Sequence, residues 1–123
     1  MGMDVYGLKP KNEKGKYFRA NVWSWRPIVT IMEEAGGEEL FDKKSWNSMH
    51  FNDGAGIQDS ALAYELGNRI SEWITRKDLY DGHWTEYNPY EHGDEFDQQY
   101  GISREHVNEF VRFLRNCGGF SVC

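Results

Sequence analysis

Gly15-Lys16-Tyr17-Phe18-Arg19-Ala20-Asn21-Val22-Trp23-Ser24-Trp25-Arg26-Pro27-Ile28 is the stretch on which the fold turns. Residues 16–23 alternate, and side chains alternate across a strand. Phe18, Ala20 and Val22 therefore point one way, and Tyr17, Arg19, Asn21 and Trp23 the other. Trp25 continues the second set. Pro27 suits the first turn of a helix, because its missing N–H costs nothing there. The stretch reads as a strand feeding a proline-started helix. Its second face carries aromatics, an Arg and an Asn where a two-layer strand normally carries only solvated groups.

Working outward, Met3-Asp4-Val5-Tyr6-Gly7 is a short strand, joined to residue 16 by a polar Pro- and Gly-containing connection. Ile28, Ile31, Met32 and Ala35 form the apolar stripe of the first helix, which Gly36-Gly37 ends. In the irregular segment 38–56, Leu40, Phe41 and Trp46 are anchors and residues 48–51 a short strand. Asn52-Asp53-Gly54-Ala55-Gly56 is a turn. A second helix is capped by Asp59 and striped by Leu62, Leu66, Ile70, Trp73 and Ile74. It runs to about Arg76, with Gly67 allowing close packing on the sheet. A third is capped by Ser103, with Ile102 stapling onto Val107, and ends at Gly118-Gly119. Residues 120–123 alternate as a final strand, expected beside the first. The expectation is a single α+β domain over 1–123. It has a small, mainly antiparallel sheet (N-terminal strands plus a C-terminal strand) and about three helices.

Charge is segregated. Of a net charge of −6, residues 77–102 carry seven acids against Lys77, together with six aromatics. This segment reads as an acidic, aromatic-rich insertion or flap, since long structureless loops are uncommon in compact domains. Residues 1–26 hold six bases against Asp4 and Glu13. No apolar run reaches membrane-span length, and Met1-Gly2-Met3-Asp4-Val5-Tyr6 lacks the basic and apolar regions of a secretory signal. The expected location is the cytosol, where Cys117 and Cys123 are thiols.

Gly2-x-Asp4-Val5-Tyr6-Gly7, Gly15-x-Tyr17-Phe18-Arg19-x-Asn21-Val22-Trp23-x-Trp25-Arg26-Pro27, Asn52-Asp53-Gly54-x-Gly56 and Phe113-Leu114-Arg115-x-x-Gly118-Gly119-Phe120 resemble a family of small uncharacterised bacterial and phage proteins. The resemblance spans both ends and the middle and leaves 77–102 unmatched. It implies a prokaryotic or viral origin, hence a bacterial host cytosol if viral, and transfers no catalytic residue.

The residues that could carry function are Tyr17, Arg19, Asn21, Trp23, Trp25 and Arg26, with His50, Asn52 and Asp53 of the glycine-rich turn. Arg offers a planar fork for phosphate or carboxylate, and Trp and Tyr offer stacking faces. The competing reading makes Trp23 and Trp25 core and pairs Arg19 with Asp4. Glycines ahead of a helix expose N–H groups to an anion, but the P-loop spacing is absent. No Hx₃H, HExxH, CxxC or GxSxG spacing occurs, so no catalytic residue, metal ligand or cofactor is expected.

The first expectation is a non-enzymatic domain holding a small anionic or nucleotide-like ligand, in the manner of a phage-encoded sequestering protein. The second is a protein-interaction module or host-factor inhibitor using the acidic aromatic segment. The third is a metal-dependent hydrolase. Partners are thus a small anion or a protein, with homo-oligomerisation as an option. The acidic whole disfavours long duplex nucleic acid.

Overall fold

β1 (Gly2–Gly7) pairs antiparallel with β2 (Tyr17–Asn21), with Asp4 opposite Arg19 and Tyr6 opposite Tyr17. β6 (Phe120–Val122) lies on the other side of β1, and β3 (Gly56–Ile57) on the far side of β6. The resulting sheet has the order β2-β1-β6-β3 and is antiparallel throughout. These elements come from a computed structural model, which describes residues 2–51 and 53–123. The remaining elements are α1 (Val22–Glu34), α2 (Lys43–Asn47), α3 (Ser60–Asp81), α4 (Arg104–Asn116) and a separate antiparallel pair, β4 (Glu86–Tyr87) with β5 (Ile102–Ser103). The protein is α+β, and the final strand pairs with the first as expected.

The helices cover one face of the sheet. Met3, Val5, Phe18, Ala20, Ile57, Phe120 and Val122 point into the core with Trp25, Ile28, Met32, Leu66, Ile70, Phe110 and Phe113. Phe18 meets Phe110 with ring centroids 4.8 Å apart. The other face is open: Tyr6 and Tyr17 are each almost half exposed. This is the two-layer arrangement, one face dry and one wet, that period-2 patterning encodes.

Several expectations are corrected. β2 stops at Asn21, not residue 23. The Asn21 side chain accepts the Ser24 N–H at 2.9 Å and so caps α1, which begins at Val22. Trp23 and Trp25 are therefore helical and do not extend the strand face. Pro27 lies inside the helix, where it cannot donate to the Trp23 carbonyl four residues back. The Gly101 N–H supplies that bond at 3.0 Å, and the Ser24 hydroxyl donates to the Gly101 carbonyl at 3.0 Å. The proline thus creates the acceptor that fastens the end of the acidic segment to α1.

Residues 48–51 form no strand. They are turns following α2, whose N-cap Asp42 accepts from the Ser45 N–H at 2.8 Å. Leu62 is exposed, and the buried stripe of α3 runs through Ala63, Leu66, Gly67, Ile70, Trp73 and Ile74. Gly67 faces α4, not the sheet. A Cβ there would sit 3.3 Å from both the Leu114 Cβ and the Arg115 Cγ.

α3 continues to Asp81, five residues beyond the expected end, so the acidic stretch begins as helix. Its remainder is held by buried anchors, Trp84, Tyr100 and Ile102. Glu34 at the end of α1 accepts from the Trp73 indole and the Tyr87 hydroxyl, both at 2.9 Å. Burial, then this bond to a carboxylate, raises the Tyr87 pKa. The Lys77 ammonium sits 4.9 Å from the Tyr87 ring centre and 5.5 Å from that of Trp84, and pairs with Asp81 at 2.6 Å.

Candidate functional site

The described residues among those singled out from the sequence fall into five places. Tyr17 and Arg19 stand on β2, at one edge of the sheet. The Tyr17 hydroxyl donates to Asp4 Oδ1, a bond that raises the phenol pKa, and Arg19 Nε lies 3.8 Å from the same oxygen. Asn21 is spent on the cap. Trp23 packs against Phe96 and Tyr100 at 5.2 and 4.9 Å, and the Arg26 guanidinium lies 5.8 Å from the Tyr100 ring centre. His50 shares the Arg26 surface. Its pKa is lowered, first by desolvation and then by the Arg26 charge. Trp25 is core, with its indole N–H donating to the Met49 carbonyl at 2.6 Å, which removes it from any surface site. Asp53 is exposed beside the Gly54–Val122 backbone bond, towards the opposite edge of the sheet from Arg19. Asn52 lies outside the described residues.

Tyr17 and Arg19 meet partners that the linear pattern did not indicate. A groove of about 550 Å³ runs between the β2 edge and α4, lined by Lys14, Tyr17, Phe18, Arg19, Glu109, Arg112 and Phe113. Phe18 and Phe113, both buried, supply apolar walls. Three cations and one carboxylate, Glu109, share the groove. Among the described residues Lys14 and Arg112 enter no ion pair, and Arg19 has only the long contact to Asp4.

Each cation is positioned by local structure. Lys14 sits in a helical turn, Glu13–Gly15, capped by Asn12, whose amide also donates to the Asn116 side chain at 3.0 Å. Gly15 lets that turn touch α4, since a Cβ there would fall 1.9 Å from the Asn116 carbonyl oxygen. The Lys11 N–H donates to the same carbonyl at 2.8 Å, and the Lys9 N–H to that of Cys117 at 3.0 Å. A basic turn thus closes the negative end of the α4 dipole. Arg112 lies on the polar side of α4, and His106, one turn and a half earlier, hydrogen-bonds through Nε2 to the Arg19 carbonyl at 2.9 Å. Lys14 and Arg112 were missed because proximity across roughly a hundred residues leaves no periodic trace.

A larger cleft, about 710 Å³, lies between α3 and α4 and includes His83, Trp84, Arg104, Glu105, Arg112 and Arg115. Arg112 borders both clefts, and the other two arginines here are more committed. Arg104 pairs with Asp78 at 2.7 Å, and Arg115 donates twice to the Asn68 side chain, at 3.0 and 3.2 Å. Among the described residues no group of three or more His, Cys, Asp or Glu side chains is placed to hold a metal ion, and no helix is long and apolar enough to cross a membrane. Comparison with family models, curated proteins and solved structures found no match.

Proposed function

We propose that this chain is a non-enzymatic binding domain for an anionic ligand, held in the groove between β2 and α4. The observation that carries the reading is the convergence of Lys14, Arg19 and Arg112 on one groove with little carboxylate to neutralise them. Guanidinium forks match phosphate or carboxylate oxygens, and the buried Phe18 and Phe113 walls lower the local dielectric in which they act. The likeness of the terminal motifs to small bacterial and phage proteins is in keeping with a sequestering role, in which holding the ligand is itself the function.

The test is calorimetric titration with pyrophosphate, citrate, AMP and a cyclic dinucleotide at low and high salt. At least one anion should bind, more weakly as the screening length contracts from about 30 Å at 0.01 M to about 3 Å at 1 M. The double variant Lys14→Glu, Arg112→Glu should abolish the heat. No binding by any of these anions at low salt, or binding indifferent to both substitutions, overturns the reading.

A second reading, an interaction module built on the acidic aromatic segment, is favoured by Leu79 and Tyr80. They stand 81% and 87% exposed at the end of α3, a side-by-side apolar pair beside Lys77 and Asp81. If they form a contact with a protein, Leu79→Ser, Tyr80→Ser should change self-association or partner binding and leave thermal stability unchanged.

A further inference from the structure

The β2 edge carries more than charge. Asp4 and Cys123 exchange both backbone bonds, at 3.4 and 2.7 Å, so the peptide groups of Asp4 and Tyr6 face β6 and those of Val5 and Gly7 face β2. In an antiparallel ladder this alternation passes to the next strand. Phe18 and Ala20 therefore spend their peptide groups on β1, while those of Tyr17 and Arg19 aim away from the sheet. His106 takes one of them, the Arg19 carbonyl. Among the described residues, the Tyr17 N–H, the Tyr17 carbonyl and the Arg19 N–H make no protein hydrogen bond. These open groups border the groove that holds Lys14, Arg19 and Arg112.

Resting on the anion-binding reading above, we infer that the groove takes an extended peptide segment of another protein, alternating acidic and apolar residues, which adds a short strand along β2. Strand addition derives affinity from backbone bonds and selectivity from pockets for alternate side chains. Both are present. Side chains on the inner side of an added strand would meet Phe18 and Phe113, and those on the outer side Tyr17 and Arg19. Cationic side chains commonly keep neutral strands off an exposed edge. Here the same charges select an acidic one, with Glu109 the opposing carboxylate that limits how many acids are accepted. The chain's own acidic stretch is not the occupant, since β4 and β5 are already paired with each other.

The probe is the blocked peptide acetyl-Glu-Val-Glu-Val-Glu-amide at low salt, with two analogues, one N-methylated at the valines and one at the flanking glutamates. Binding should slow hydrogen exchange of the Tyr17 and Arg19 amides. One analogue, whose methyls face β2, should bind about tenfold or more weakly, as expected for losing a pair of strand bonds, while the other binds like the parent. Arg19→Gln should weaken the parent peptide without restoring amide exchange in what remains bound. Binding with unchanged Tyr17 and Arg19 exchange, or with both analogues equal to the parent, overturns strand addition. If pyrophosphate binds and the peptide does not, strand addition fails and the anion site stands. If neither binds, both fall.

Discussion

Asn21 and Pro27 show how two residues redirect a chain. Asn21 ends β2 by turning its side chain onto the Ser24 N–H, and Pro27 leaves the Trp23 carbonyl free for Gly101. Both facts were within reach of the sequence, because Asn ahead of a helical run is a strong cap. The alternation of residues 16–23 conceals it, and Pro27, expected in the first turn, lies in the second because α1 starts at Val22. Asn21→Ala should cost about 1 kcal/mol in chemical denaturation. The Gly101 amide should be as protected from hydrogen exchange as the α1 interior. Exchange at the rate of a free loop would contradict the fastening described here.

His50 gives a pH prediction at the same scale. Its folded pKa lies below 6.5, so the unfolded chain binds more protons as pH falls through that region. Its contribution is fully present above pH 6.5 and is lost as pH falls towards the lowered folded value. Histidine NMR titration should place His50 below 6.5, and Arg26→Gln should move it upward without restoring it fully, because desolvation is the larger cause. A titration at or above 6.5 would contradict this environment.

Among the elements, α4 was the most legible. Ser103 caps it, accepting the His106 N–H at 3.1 Å, and Val107, Phe110, Val111 and Leu114 bury its stripe. A strong apolar period with a good cap leaves few alternatives. α3 was legible in its start, since Asp59 accepts from the Leu62 N–H at 3.0 Å, and not in its end or its facing. Gly67 names the reason. It marks a close approach, but only the tertiary arrangement says that α4 is the neighbour. Gly67→Leu should destabilise the domain by roughly 1–3 kcal/mol through overpacking, measured by urea denaturation. A neutral result would mean that the helices separate at no cost.

The acidic segment is the other lesson at this scale. Its aromatics are divided between anchors and surface: Trp84 and Tyr100 are buried, whereas Tyr80 and Phe96 are exposed. Trp84→Ala should cost about 3–5 kcal/mol. Replacing residues 89–95 by Asn-Gly should leave the melting cooperative and near its original temperature. Composition located this segment without showing which half of its rings serves the core.

In the whole molecule, the segregation of charge visible in the sequence has a structural counterpart. The basic connection 8–15 lies against the end of α4, and Arg112 of that helix joins Lys14 and Arg19 in one groove. Two members of the groove, Tyr17 and Arg19, were read from the strand's outer face. Phe18 comes from the inner face of the same strand, Lys14, Glu109, Arg112 and Phe113 come from a turn and a helix whose meeting is a property of the closed fold, and Trp25, prominent in the sequence, went to the core. The most direct measurement is chemical-shift mapping with pyrophosphate at low salt, following backbone amides and arginine Nε–Hε signals. The account predicts concentration-dependent shifts at Arg19 and Arg112 and in the amides of residues 14–19 and 109–113. Shifts confined to Arg104, Arg115 and His83, or none anywhere, would contradict it.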